Sequence, residues 1–189
     1  MKALLCALVI GMTLSPLTAD EPKSRPKTIL VIRHAEKPDR GPDLSDAGKA
    51  RAEALPGLFK KSALRPDPFP TPDFIFAAKE SEESNRPVET VLPLAAALKL
   101  DIDKKIKNKD YALLKDELYS KPKYNGKVVL VCWHHGDIPN LLHSLGIDPE
   151  PGPIDGAVFD RVWVVTFDDK GNAQLTDKPQ ALLPGDSQK

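Results

Sequence analysis

The sequence predicts a single α/β domain with helices on both faces of a mostly parallel mixed sheet, a three-layer α/β/α sandwich. Short unbroken apolar runs rich in β-branched residues alternate with segments of helical period, the pattern of a sheet buried on both faces. With 189 residues, 41% of them hydrophobic, the chain is long enough for one such core.

Thr28–Ile32 reads as the first strand. Ser45 is placed to cap a helix over Asp46–Leu55, which Pro56 and Gly57 weaken at its end. Asp73–Ala78 repeats the strand signature. Pro87 then opens a helix with Val88, Val91, Leu92, Ala95 and Leu98 on one stripe, and Pro93 is expected to bend it. Tyr111, Leu113, Leu114 and Leu118 predict a further short helix. Lys127–Trp133 is the clearest buried strand. Ile138, Leu141, Leu142 and Leu145 mark one face of a helix that Gly146 stops. Arg161–Phe167 and Asn172–Leu175 flank a turn at Asp168–Gly171 and read as a hairpin at the sheet edge.

The expected layout is a signal peptide over 1–19, an extended leader over 20–27, the domain over 28–178 and a polar tail over 179–189. Lys2 precedes an apolar run, Ala3–Leu14, and the small residues around Ala19 offer a cleavage site. That run matches a signal core of about 7–15 residues rather than the ~20 of a spanning helix, so the chain is expected to be exported, to periplasm or exterior, without a stable membrane anchor. Cleavage would remove Cys6 and leave Cys132, within an apolar strand, as a buried inert thiol. Lys and Arg number 27 against 27 Asp and Glu, interspersed along the chain. Neither a nucleic-acid footprint nor a polybasic membrane patch follows from that balance, so any anion affinity must be local. The prolines at 63–72 and the Pro/Gly stretch 147–157 read as long loops near the functional rim.

In open α/β sheets ligands bind beyond the carboxyl ends of the strands. The residues just past the three best strands are Arg33 and His34, then Lys79 through Arg86, then His134 and His135. Any one of these alone reads as an ion-pair partner or a strand cap. Together they form one rim with two guanidinium forks that match phosphate oxygens and imidazoles able to attack phosphorus or carry protons. A metal site on His34, His134 and His135 is the weaker alternative, because their spacing lacks a helical ligand pair and two arginines would repel a dication. His143 lies off its helix's apolar stripe and reads as a surface residue. Trp133 and Trp163 read as strand packing.

The stretch Arg33-His34-Ala35-Glu36-Lys37 resembles the Arg-His motif of the histidine phosphatase superfamily, whose fold is phosphoglycerate-mutase-like. Leu44 through Gly48 with Ala52, Ser84-Asn85-Arg86 with Glu89 and Thr90, and His134 through Pro139 resemble its further motifs, in order, across residues 28–167. The resemblance implies that His34 is transiently phosphorylated, that Arg33 and Arg86 bind the phosphoryl group, and that a later histidine assists before water releases phosphate. No metal and no cofactor are implied. The later histidine is His134 or His135, with His135 preferred; adjacent residues on an extended chain point oppositely, so one of the two faces the phosphate unless the strand has ended and the loop turns both inward. The glutamate proton donor of mutase-type members has no counterpart here, and Glu36, Glu80 and Asp137 stay unassigned. The acids of Lys79–Glu83 disfavour a very highly phosphorylated substrate. The implied activity is hydrolysis of a small-molecule or protein phosphomonoester, and the competing reading is a non-catalytic phospho-ligand-binding module.

Overall fold

β1 (Thr28–Arg33) is buried along its whole length, because its six residues lie in the middle of the sheet with a neighbour on each side. The computed structural model describes residues 24–188, so the predicted signal peptide lies outside the described residues. The other strands are β2 (Phe74–Ala77), β3 (Ile102–Asp103), β4 (Val128–Trp133), β5 (Arg161–Phe167) and β6 (Ala173–Pro179), in the order β3-β2-β4-β1-β5-β6. The first four run parallel; β5 is antiparallel to β1, and β6 to β5. This is the mixed sheet expected from the sequence, with the predicted hairpin at its edge.

The helices are α1 (Asp46–Ala54), α2 (Arg86–Leu98), α3 (Tyr111–Ser120) and α4 (Ile138–Ser144). Strand side chains alternate between two faces. Leu30, Ile32, Ile75, Leu130 and Cys132 pack with Val88, Val91 and Leu94 of α2 on one face. Ile29, Val31, Val129, Val131 and Trp133 pack with Leu114, Leu118, Leu141 and Leu142 of α3 and α4 on the other. Cys132 is fully buried, and burial pushes its thiol well above the ordinary range, which makes it inert.

Ser45 caps α1 as the sequence indicates, its Oγ accepting from the Gly48 amide at 3.1 Å. At Pro56 and Gly57 the chain tightens into a 3-10 turn over Leu55–Phe59. α2 continues through Pro93 to Leu98 and ends with Lys99 in the left-handed region at φ 57°. β3 escapes sequence reading because two residues carry no period, yet Ile102 pairs with Ile75. β6 extends beyond the expected Leu175 to Pro179; its polar residues lie on an edge strand, where the apolar signal stops short.

One expectation needs correction. The proline loop 63–72 does not border the rim: Phe69 packs into the α2-side core, and the loop lines a groove with Thr28 and Thr166, at the end of β1 away from Arg33. The polar tail expected past 178 is docked on the domain in part: Gln180 is buried and Asp186 pairs with Arg51 at 2.8 Å. On the leader side, Arg25 stacks 4.6 Å from the Phe167 ring centroid, and its carbonyl accepts from Gly126.

Gly48 lets α1 approach the loop after β1. The Glu36 carbonyl accepts from the Ser45 amide at 3.0 Å, and a Cβ on Gly48 would lie 2.3 Å from that same oxygen. Gly48→Ala is therefore expected to lower the unfolding free energy by about 2 kcal/mol or more, measured by urea denaturation; an unchanged midpoint would show that the contact relaxes freely.

Candidate active site

The carboxyl end of β1 is locked from two sides, by β4 and by α2. The His34 amide donates to the Trp133 carbonyl at 2.9 Å, which carries the β1–β4 ladder one step past Arg33. The Ala35 amide donates to Thr90 Oγ1 at 2.8 Å, and that hydroxyl donates to the Arg86 carbonyl at 2.7 Å. The first turn of α2 and the loop after β1 are thus one unit.

His34 is 2% exposed. Its Nδ1 lies 2.7 Å from the Ala35 carbonyl oxygen. A carbonyl can only accept, so the proton sits on Nδ1 and the Nε2 lone pair is free. Burial lowers the His34 pKa to about 3; the Ala35 carbonyl works against that, while His134, Arg33 and Arg86 add to it. The ring is neutral at physiological pH, as a nucleophile must be.

Arg33 is 1% exposed. Its Nη1 donates to the carbonyls of Gly156 at 2.9 Å and Val158 at 2.7 Å, with Asp155 at 3.4 Å, and its guanidinium carbon sits 3.6 Å from the Phe159 ring centroid. Nε and Nη2 are buried with no partner among the described residues. Desolvation lowers its pKa to about 10, opposed by Glu36, so the group stays a cation. Arg86, the first residue of α2, donates from Nη1 to the Gly41 and Pro42 carbonyls at 3.0 and 3.1 Å, and its buried Nε also lacks a partner. Ser84, 4% exposed, has an unpartnered Oγ.

These residues line one cavity of about 580 Å³ together with His134 and His135. Arg33, His34, Arg86, His134 and His135, singled out from strand ends, therefore converge. Both candidate histidines line the cavity; the His134 ring meets His34 edge-on at 5.1 Å between centroids. The strand ends at Trp133, so the loop turns both rings toward the cavity and the alternation of an extended chain no longer applies. Burial lowers His134 to about 4, and His135 is lowered as well.

The three unassigned carboxylates are engaged. Glu36 receives Arg51 Nε at 2.9 Å and Nη2 at 2.7 Å. Glu80 pairs with Lys104 at 2.6 Å. Asp137, buried, accepts from Asn108 Nδ2 at 2.6 Å and Lys109 Nζ at 2.7 Å. Among the described residues, no group of three or more His, Cys, Asp or Glu is arranged to hold a metal ion.

Sequence reading missed Lys107, Asn108, Lys109 and Asp110, which line the cavity from a turn before α3, and Phe159 beneath Arg33. Neither stretch follows a buried strand or carries a motif. Trp133 offers the one local hint, since its indole N–H needs an acceptor and finds the Asn108 carbonyl at 3.0 Å.

Solved structures share this architecture. The protein histidine phosphatase SixA in complex with tungstate superposes with a TM-score of 0.58 at 15% identity, covering 81% of this chain and 97% of that one. A mycobacterial glucosyl-3-phosphoglycerate phosphatase gives 0.56 at 14% identity, covering 79% and 97%. The phosphoglycerate mutase of Bacillus anthracis gives 0.52 at 15% identity, covering 82% and 93%.

The fold is phosphoglycerate-mutase-like, shared with these solved structures. No protein-family model matches the chain, and no curated protein sequence is significantly similar to it. At such low identity the superposition speaks to the fold alone, and the chemistry must be argued from the side chains above.

The neutral histidines have a measurable consequence. The unfolded chain takes up protons near the ordinary histidine value of 6.5, whereas native His34 and His134 do so only near 3 and 4. Stability should therefore fall as pH falls from about 6.5 to 5, by up to about 1.4 kcal/mol per pH unit for each such histidine. Urea unfolding across that range should show this slope, and a smaller one in His34→Gln. Equal slopes would mean that His34 is not held neutral.

Proposed function

We propose that the protein is a metal-independent phosphomonoesterase that works through a phosphohistidine intermediate on His34. The observation that carries this reading is a buried neutral imidazole with Nδ1 committed to a carbonyl and Nε2 free, beside two guanidiniums whose inner donors lack partners. A phosphoryl group seated on Arg33 and Arg86 presents phosphorus to Nε2. The P–N bond forms as the ester P–O bond breaks, and the arginines stabilise the charge on the equatorial oxygens. The leaving oxygen takes a proton from His134, whose proton affinity rises once a phosphate dianion sits beside it. Water then attacks the phosphohistidine, yields that proton to His134, and releases phosphate.

SixA, which shares this fold, is complexed with tungstate, a tetrahedral oxyanion, and that supports a phosphoryl-binding role for a protein of this fold. Two guanidiniums supply the positive charge that a metal ion would otherwise bring. The substrate is a small-molecule or protein phosphomonoester, and the apolar run Ala3–Leu14 supports export after cleavage near Ala19.

Phosphate release from an aryl phosphate, with and without chelator, tests this directly. The wild-type rate should withstand chelation, His34→Ala should abolish it, and a base quench should trap phosphate on His34. Arg86→Ala should lower kcat/KM by about a hundredfold. Full activity in folded His34→Ala would sink the mechanism. Phosphate binding without turnover of any ester would leave the pocket as a phospho-ligand-binding module.

A further inference from the structure

The segment 180–187, which follows β6, is fastened to both halves of the proposed phosphoryl site, although none of its residues lines the cavity. Its first attachment is to the stretch that leaves the Arg33 cage. The Gln180 amide donates to the Asp160 carbonyl at 2.7 Å, and Gln180 Nε2 donates to the carbonyls of Phe159 and Arg161, both at 3.2 Å. The Ser187 amide donates to Asp160 Oδ2 at 2.6 Å. Phe159 is the ring on which Arg33 lies.

The second attachment reaches the His34 loop. The Asp186 side chain is 4% exposed. It accepts from Arg51 Nη1 at 2.9 Å and Nη2 at 2.8 Å, and from the Leu182 and Leu183 amides at 2.8 and 3.0 Å. Gln180 Oε1 accepts from Arg51 Nη1 at 3.2 Å. Arg51 in turn grips the carboxylate of Glu36, two residues past His34, whose carbonyl anchors Ser45 and α1. A buried carboxylate–guanidinium–carboxylate array is a weak source of net stability, because desolvation offsets much of the attraction. What it does supply is fixed geometry.

We infer that Asp186 and Gln180 are positioning residues for phosphoryl transfer. They act through Arg51 and Glu36 on the His34 loop and through Phe159–Arg161 on the Arg33 cage. The inference rests on the phosphatase reading, since what it positions is the nucleophile against the guanidinium. In-line attack is sensitive to displacement: an error of about 1 Å can cost about a hundredfold in rate.

Asp186→Asn is the deciding variant. It keeps an oxygen for the Leu182 and Leu183 amides and leaves Arg51 paired with Glu36, so the fold should persist. Two readouts are taken: aryl phosphate kinetics, and hydrogen–deuterium exchange of the amides of 33–37 and 155–160. The expected result is faster exchange in both stretches and a kcat lower by about tenfold or more, with KM changed by no more than about twofold. Unchanged exchange would overturn the inference, as would faster exchange with unchanged kcat. Gln180→Ala, read the same way, decides the matter if Asp186→Asn does not fold. Exchange is measured independently of turnover. An inactive wild type would therefore count against the phosphatase reading, while exchange would still judge the coupling.

Discussion

A guanidinium taken out of water at the carboxyl end of a buried strand is the constraint on which the rest of this molecule depends. Arg33 closes β1, where both faces of the sheet are covered, and a bare cation there is costly. The chain answers with three carbonyls from the loop 155–158 and the face of Phe159, all neutral partners. Because no carboxylate among the described residues pairs with the group directly, its charge is left to act on whatever enters the cavity. The neighbouring burial that keeps His34 neutral follows from the same enclosure.

The acids around the site obey a complementary logic. Glu36, if free, would offer Arg33 a carboxylate of its own, yet Arg51 holds it. Asp137 is held by Asn108 and Lys109, and Glu80 by Lys104. Within the Lys79–Glu83 stretch, Lys104 offsets the charge of Glu80, while Glu83 also lines the cavity. The three pairings leave the imidazoles, rather than a carboxylic acid, as the groups free to move protons near the proposed nucleophile.

Rigidity comes from short polar links rather than from apolar packing alone. Thr90 joins the Ala35 amide to the Arg86 carbonyl, so the two arginines and the histidine between them cannot shift independently. Gly48 permits the loop after β1 to lie against α1, where any side chain would collide with the Glu36 carbonyl. The motif segments seen in the sequence therefore divide by role: some carry chemistry, while others hold the backbone that carries it.

By itself the sequence determined the sheet-and-helix alternation, the buried central strands, the cap at Ser45, and the three stretches that follow strand ends. Each is a local signal, expressed over a few residues through period, cap chemistry or β-branching, and strand ends place their successors on one rim whatever the connecting loops do. Only the tertiary structure decided that the His134 ring meets His34, which carboxylates are engaged, and what holds Arg33. Its carbonyl partner Val158 is 125 residues away, and Asp186 is 135 residues from Arg51. β3, the turn at 107–110 and the docked segment 180–187 were illegible for the same reason: a polar residue looks the same in sequence whether its partner is water or a distant side chain.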